Sequence, residues 1–367
     1  MIPLHKPWIE PEDEAAVLRV LRSGRLAGNG AECTALEREL QARLGGGHAV
    51  VLLSSATHAL ELSMLLLDLQ GGEVIVPSFT FPSVGSAILR AGGVIRFCEV
   101  REPDLNVDLE HARSLIGPAT RAVVITHYAG HPQDIAGIPV PVVEDAAHAF
   151  GSEIDGRPCG TLGRFGCLSF HATKNLVAGE GGALITADAE AARRAKIFRE
   201  KGTNRDDFTS GRVDHYAWVG LGSSLVLPEL AAALARTQLA RFDRILDERR
   251  RVARLYDEAL ARLEREARLK VVRPAGPGVS SHHIYAVLVD PGARASVLRT
   301  LAQAGVQAAS HFVPLHASPF GRAMAPGLSL PRTDTLAASV VRLPIYPGLS
   351  GSDVEKIAAA LGEALGG

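Results

Sequence analysis

A chain of 367 residues with 47 % apolar content is long enough for a large core and for two domains. Its 39 basic and 40 acidic residues nearly cancel, which gives no support for a nucleic-acid or membrane partner. The four cysteines, Cys33, Cys98, Cys159 and Cys167, have no CxxC spacing and no paired histidine motif, so no metal site is expected. Cys98 and Cys167 lie in apolar runs and read as small core residues. With no leader-like stretch and no long apolar span, the expected location is the cytoplasm.

The first residues, through Trp8, form an extended, proline-marked arm. Pro11 opens a helix that Gly24 stops, and a second helix over Ala31 to Leu44 ends in three glycines. Strands and helices then alternate. Strands are predicted over Ala49–Leu53, Glu73–Val76, Val94–Val100, Ala122–Thr126 and Val140–Glu144. Helices are predicted over Thr57–Leu69, Pro82–Ala91 and Leu109–Leu115. This alternation predicts an α/β fold with a mostly parallel sheet flanked by helices, whose ligands bind beyond the carboxyl ends of the strands. Two further buried strands, Cys167–Phe170 and Ala183–Thr186, precede a helix near Ala189–Lys201. The polar stretch 202–222 is too long for an ordinary connection and is read as functional. One long helix or two abutting ones follow from Leu230 to Leu263. A strand (His283–Val289), a helix (Ala293–Ala304), a strand (Ala308–Val313) and a final helix (Ser352–Leu365) complete the pattern. The change of pattern divides the chain into a large α/β domain with its arm, 1–245, and a smaller α+β domain, 246–367.

Four stretches carry chemistry. Between the strands ending at Phe170 and starting at Ala183 lies a polar connection with Ser169, His171, Thr173, Lys174 and Asn175, closed by Gly179, Gly181 and Gly182. Lysine is scarce in this chain, with six among 39 basic residues, so one between buried strands is informative. Lys174 reads either as a surface-loop cation or as a desolvated amine fit to form a Schiff base. Asp145 ends a buried strand, where a carboxylate can hold a metal, cap the next helix or pair with a protonated ring nitrogen. His148 offers no obvious third ligand, which disfavours the metal. Ser54, Ser55 and Thr57 put hydroxyls and free N–H groups at a helix start, either a plain cap or an anion site. Phe79 and Phe81 follow another strand and either pack in the core or stack on a flat ligand. Neither a GxxxxGK[ST] loop nor a GxGxxG after the first strand is present, which disfavours ATP and NAD in their usual loops.

An anion cradle, an aromatic platform, an acid and an amine together are what pyridoxal 5′-phosphate (PLP) requires. Over nearly its whole length the chain resembles the DegT-type sugar-nucleotide aminotransferases of the fold-type-I PLP enzymes. The matching motifs are Pro77-Ser-Phe-Thr-Phe81, Glu144-Asp-Ala-Ala-His148, Ser169-Phe-His-Ala-Thr-Lys-Asn175, Glu180-Gly-Gly182, Pro314-Leu-His316 and Leu343-Pro-Ile-Tyr346. The resemblance implies that Lys174 joins the cofactor aldehyde and shuttles the proton, and that Asp145 keeps the pyridine nitrogen protonated. It implies that Phe81 stacks on the ring, that His148 sits near the phenolic oxygen, and that Ala56, Thr57 and Ser169 hold the phosphate. Many relatives add an asparagine from a second subunit, and here Ser224 stands in its place. The implied assembly is a homodimer with active sites near the subunit interface.

The finer resemblance is to enzymes that aminate a dTDP-4-keto-6-deoxyhexose at C4, carried by Arg199–Arg205, Gly211–Trp218 and Gly222–Ser224. It implies L-glutamate as donor, pyridoxamine 5′-phosphate as the intermediate cofactor form, and a dTDP-4-amino-4,6-dideoxyhexose of galacto configuration as product. Arg205, Arg212, Tyr216 and Trp218 offer cations for a diphosphate and faces for a base or sugar, or else form a solvated arginine loop. His316 and Tyr346 join them as expected substrate contacts. Rival readings are a 3-keto-sugar aminotransferase, a PLP sugar dehydratase and a non-catalytic sugar-nucleotide-binding regulator. Related dehydratases carry histidine where Lys174 stands.

Overall fold

The computed structural model describes residues 1–366. Helices α1 (Pro11–Ser23) and α2 (Ala31–Arg43) lead into β1 (Ala49–Leu53). Pro11 occupies the first turn of α1, Glu10 and Asp13 form a reciprocal cap, and Gly24 in the left-handed conformation (φ 69°) ends it. The alternating region comprises α3 (Ala56–Leu66), β2 (Glu73–Pro77), α4 (Pro82–Arg90), β3 (Val94–Cys98), α5 (Leu109–Ser114), β4 (Thr120–Thr126) and β5 (Val142–Asp145). A small hairpin, β6 (Glu153–Ile154) and β7 (Arg157–Pro158), precedes β8 (Phe165–Ser169) and β9 (Gly182–Thr186). Then come α6 (Ala189–Arg199), α7 (Arg205–Thr209), α8 (Glu229–Ala240) and α9 (Phe242–Arg265). The remaining elements are β10 (Lys270–Val271), β11 (Tyr285–Leu288), α10 (Arg294–Gln303), α11 (Pro319–Met324), α12 (Pro331–Ser339), β12 (Val340–Leu343) and α13 (Gly351–Ala364).

Seven strands form the main sheet in the order β1-β9-β8-β5-β4-β2-β3. Only β9 runs against the others, paired antiparallel to β1 and to β8. The expected α/β architecture with a mostly parallel sheet is thus observed. Strands such as Phe165–Ser169 and Gly182–Thr186 are buried along their whole length, as expected of a sheet covered on both faces. One apolar cluster joins β1, β2 and β4 to α3, α4 and α6, and another packs α2, α8 and the start of α9 on the opposite face.

A three-stranded antiparallel sheet, β10-β11-β12, has its own apolar core with α9, α10 and α13. Position 245 falls in the first turns of α9, and Ile2 of the N-terminal arm also enters this second core, beside Val306. The helical stretch after residue 228 is two helices that break at Arg241 (φ −111°, ψ 17°).

One expected strand is absent. Ala308–Val313 makes a single bridge, Ala309 to Arg342, and otherwise lies along the edge of the small sheet. The segment flanks the outer edge of β12, and Ala308, Ala309 and Ser310 have little apolar surface to bury there, so the pairing does not extend beyond that bridge.

Candidate active site

Strands β1, β2, β4, β5 and β8 run the same way, so their carboxyl ends share one edge of the sheet, where a cavity of about 380 Å³ opens. Each strand delivers a polar group to it: Ser55 and Thr57 after β1, Thr80 after β2, Thr126 from β4, Asp145 from β5 and Ser169 from β8. A larger groove of about 690 Å³ between α9 and α13 is lined by small residues, arginine and glutamate, and holds none of the sequence-singled residues.

Lys174 sits in the turn between β8 and β9. That turn is pinned where Phe170 N–H donates to Gly181 O (2.8 Å), Ala172 N–H to Gly179 O (2.8 Å) and Lys174 N–H to His171 O (2.8 Å). Burial lowers its amine to about 8, with Asp145 opposing the shift and Arg342 adding to it. Burial raises the carboxyl of Asp145, against the Ala147 N–H (3.2 Å) and the charge of Lys174. The two groups therefore face one cavity and each weakens the other's shift by its charge. Asn175, next in sequence, is held by Asn175 Nδ2 donating to Ser281 O (3.2 Å) and by His283 Nδ1 at 3.0 Å from its Oδ1.

The adjacent residue Glu144 points the other way and is fully buried. Its carboxylate accepts from Gly160, Leu162 and Gly163 N–H (2.7 Å each) and meets His127 Nε2 at 2.8 Å. Glu144 thereby fixes the loop before β8, while Asp145 is left to face the cavity.

At the start of α3, Ser55 Oγ accepts from His58 N–H (3.1 Å), and Thr57 Oγ1 lies 2.7 Å from Ser83 Oγ. Gly182 packs directly behind this turn; a Cβ on it would lie 2.4 Å from the Ala56 nitrogen. The helix start is therefore a positive, N–H-rich cradle backed by a residue that only glycine can supply. His148 has a buried Nδ1 without a hydrogen-bond partner, and burial keeps its imidazole neutral. It packs between His283 and His311, with ring centroids at 4.6 and 6.0 Å. Phe81 is 55 % exposed at the mouth, 6.0 Å from the Phe312 ring. Phe79 is in the core.

Ala56, Thr57, Phe81, Asp145, His148, Ser169 and Lys174 thus come together around one cavity. Seven other expected residues do not reach it within one chain. Arg205 and Arg212 pair with Glu200 (4.0 Å) and Asp207 (2.7 Å), while Tyr216, Trp218 and Ser224 are exposed on the loop before α8. His316 is buried under the end of β2, its Nδ1 2.7 Å from Ser78 Oγ, because the Pro314–Ala317 turn is tied there by Leu315 N–H donating to Ser78 O. Tyr346 is buried in the core of the small sheet. Conversely, His5, Thr80, Thr126, His283, His311 and Arg342 line the cavity without having been singled out. For Arg342 the available signal was a charge inside the apolar run Val340–Leu343.

Residues 7–362 match the DegT/DnrJ/EryC1/StrS aminotransferase family. The chain belongs to that family. Among solved structures it is similar to the aminotransferase TlmJ from Streptoalloteichus hindustanus, at 34 % identity and TM-score 0.91, covering 100 % of this chain and 99 % of that one. It is also similar to the sugar aminotransferase CalS13 from Micromonospora echinospora, at 29 % identity and TM-score 0.88, over 99 % and 100 % of the two chains. Spr1654 from Streptococcus pneumoniae, solved in PMP and PLP forms, matches at 25 % identity with TM-scores of 0.91 and 0.89, over 100 % of this chain and 99 % and 98 % of those.

This family member is a PLP-dependent aminotransferase. The cavity fits the cofactor by its own chemistry. A nearly buried amine of lowered pKa, a buried carboxylate facing it, an unpartnered imidazole nitrogen and a helix-start cradle match the aldehyde, the ring nitrogen, the phenolic oxygen and the phosphate.

Proposed function

We propose that this protein moves an amino group from L-glutamate to C4 of a dTDP-4-keto-6-deoxyhexose, giving dTDP-4-amino-4,6-dideoxyhexose of galacto configuration. The observation that carries the reading is that Lys174, an amine of lowered pKa, and Asp145 face one cavity at the strand ends, in a chain of this family. Likeness to the sugar aminotransferase CalS13 supports a sugar acceptor. The dTDP-4-keto class and the configuration rest on the sequence resemblance of residues 199–224.

In this reading Ala56, Thr57 and Ser169 hold the cofactor phosphate and Phe81 covers the ring. Asp145 keeps the ring nitrogen protonated, and the bound cofactor supplies an electron sink for the carbon that gives or receives the amine. Burial lowers the Lys174 amine to about 8 in the cofactor-free chain, toward the range in which a base can both take and return the proton at that carbon. The buried imidazoles around it exclude water. Arg205, Arg212, Tyr216, Trp218 and Ser224, exposed in one chain, serve the cavity of a second subunit in a homodimer. A lysine at position 174 argues against a sugar dehydratase, and its presence with Asp145 on one cavity wall against a non-catalytic regulator.

The test is the visible absorption of the purified holoenzyme. L-glutamate should bleach the cofactor's band and dTDP-4-keto-6-deoxyglucose should restore it, with NMR of the product placing the new amine on C4. Bleaching without restoration would discard the acceptor and keep the aminotransferase. An amine on C3 would point to the 3-keto class. No bleaching by glutamate would remove the proposed donor.

A further inference from the structure

Two helices begin on one wall of the catalytic cavity. α3 starts at Ala56 and α4 at Pro82, and each brings a hydroxyl from its second residue. Thr57 Oγ1 and Ser83 Oγ meet at 2.7 Å, and both residues line the cavity. Among the described residues neither hydroxyl has another partner. A serine or threonine in a first helical turn commonly bonds to its own turn. Here the pair instead joins two helix starts that are 26 residues apart in the chain.

The ammonium and guanidinium groups that line the cavity, Lys174 and Arg342, bear on Asp145, His148 and His311. The donors at the α3 start are of another kind. His58 N–H is taken by Ser55 Oγ, and the N–H groups of Ala56 and Thr57 precede any intrahelical acceptor. Hydroxyls complete the set, and a hydroxyl can either donate or accept, as its neighbour dictates. A phosphate monoester near neutral pH carries close to two charges and acts as an acceptor. Thr57 must therefore turn its proton toward the phosphate, which leaves its oxygen open to a donor. Ser83 Oγ stands at that distance. A chain from the Ser83 hydroxyl through the Thr57 hydroxyl to the phosphate runs in one direction, and each bond polarises the next.

We infer that Ser83 is a positioning residue of the phosphate site: it donates to Thr57 and so fixes the Thr57 hydroxyl as a donor to the phosphate. The inference rests on the reading above in which Thr57 holds that group. It brings the start of α4 into a site otherwise built on α3 and the end of β8.

The experiment titrates the cofactor-free forms of wild type, Ser83→Ala, Thr57→Val and the double variant, and follows the visible band of the bound cofactor. Each is titrated with PLP and with pyridoxal, which has the same ring and aldehyde without the phosphate. Ser83→Ala should bind PLP about fivefold more weakly, and Thr57→Val about 30-fold more weakly. Pyridoxal affinity should stay within about twofold of wild type in both, because the groups that meet its ring and aldehyde are untouched. In the Thr57→Val background, Ser83→Ala should cost less than about twofold, since its effect passes through the hydroxyl already removed.

Equal losses for PLP and pyridoxal in Ser83→Ala would reduce Ser83 to a packing role, and undiminished PLP affinity would remove it from the site. Either result overturns the assignment. A loss that persists undiminished in the Thr57→Val background would put Ser83 on the phosphate directly and overturn its action through Thr57. If Thr57→Val takes up no PLP, the ratio of PLP to pyridoxal affinity in Ser83→Ala still decides whether Ser83 serves the phosphate. Wild-type PLP affinity in Thr57→Val would instead count against the phosphate reading of the α3 start, and the role of Ser83 would fall with it.

Discussion

Replacing Lys174 by methionine removes a buried ammonium without emptying the space its chain fills. In the cofactor-free protein, burial lowers this amine to about 8 from an ordinary value of 10.5, with Asp145 opposing and Arg342 adding. Below pH 8 the group is protonated in both the folded and the unfolded chain, and the fold carries the full cost of the charge. The gap between the two values corresponds to about 3 kcal/mol. Between pH 8 and 10.5 the folded chain has released a proton that the unfolded chain still binds, so wild-type stability climbs through that window. Lys174→Met lacks this climb. It should be the more stable protein at neutral pH by up to about 3 kcal/mol, and the advantage should fade by about pH 10.5. Asp145 loses its cationic neighbour in the variant, which trims the gain. With about 2.1 cal/mol/K of unfolding entropy per residue, the difference in Tm is roughly 4 °C. Scanning calorimetry of both cofactor-free proteins, side by side at neutral and at alkaline pH, cancels every other titrating group. A variant less stable at neutral pH, or a difference that ignores pH, would refute the reasoning.

Asp145→Asn should retain PLP and the fold, judged by bound-cofactor absorption and circular dichroism. It should slow both half-reactions by about 100-fold, because an amide does not hold the ring proton; unchanged rates would take Asp145 out of that role. Glu144→Gln replaces a carboxylate that accepts from three N–H groups and His127 with an amide that must turn its own donors toward some of them. Urea unfolding should show a loss of about 3 kcal/mol, and a loss below about 1 kcal/mol would show that the loop before β8 has other support. Gly182→Ala pushes a methyl group to 2.4 Å from the Ala56 nitrogen. PLP titration should show affinity weakened by about tenfold or more, the equivalent of the 1–3 kcal/mol typical of overpacking, and unaltered affinity would free the α3 cradle from its dependence on Gly182.

The parts of the molecule that the sequence announced are those where one physical signal dominates. Apolar runs such as Val74–Val76 and Val123–Ile125 are buried on both faces, so their strands were legible from hydrophobicity alone. Asp145, Thr57 and Lys174 were legible because polar residues immediately after such runs must lie at a strand end. Arg342 and His311 were not. They arrive from 168 and 137 residues beyond Lys174, on the small sheet and its edge, and no local pattern says which cavity such a segment faces. The difference at Ala308–Val313 has the same origin, since the segment lies on the outer edge of β12 and holds it by one bridge only, Ala309 to Arg342. His316 and Tyr346 were expected as substrate contacts, and within one chain both are buried and brace the structure around the cavity.

The reversed strand β9 has a further consequence. Every other group at the rim of the main sheet rides on a strand whose chain must then leave through a long excursion before the next strand begins. Between β8 and β9 the chain turns straight back, and its two ends are stitched to each other by the ladder from Gly166–Ile185 to Ser169–Gly182. The stretch 170–181 is therefore a cassette. Its ends are fixed to each other, while Phe170, Leu176 and Ala178 anchor it in the core and Asn175 ties it to Ser281 and His283, so Lys174 is presented by a short, braced turn rather than by a long connection.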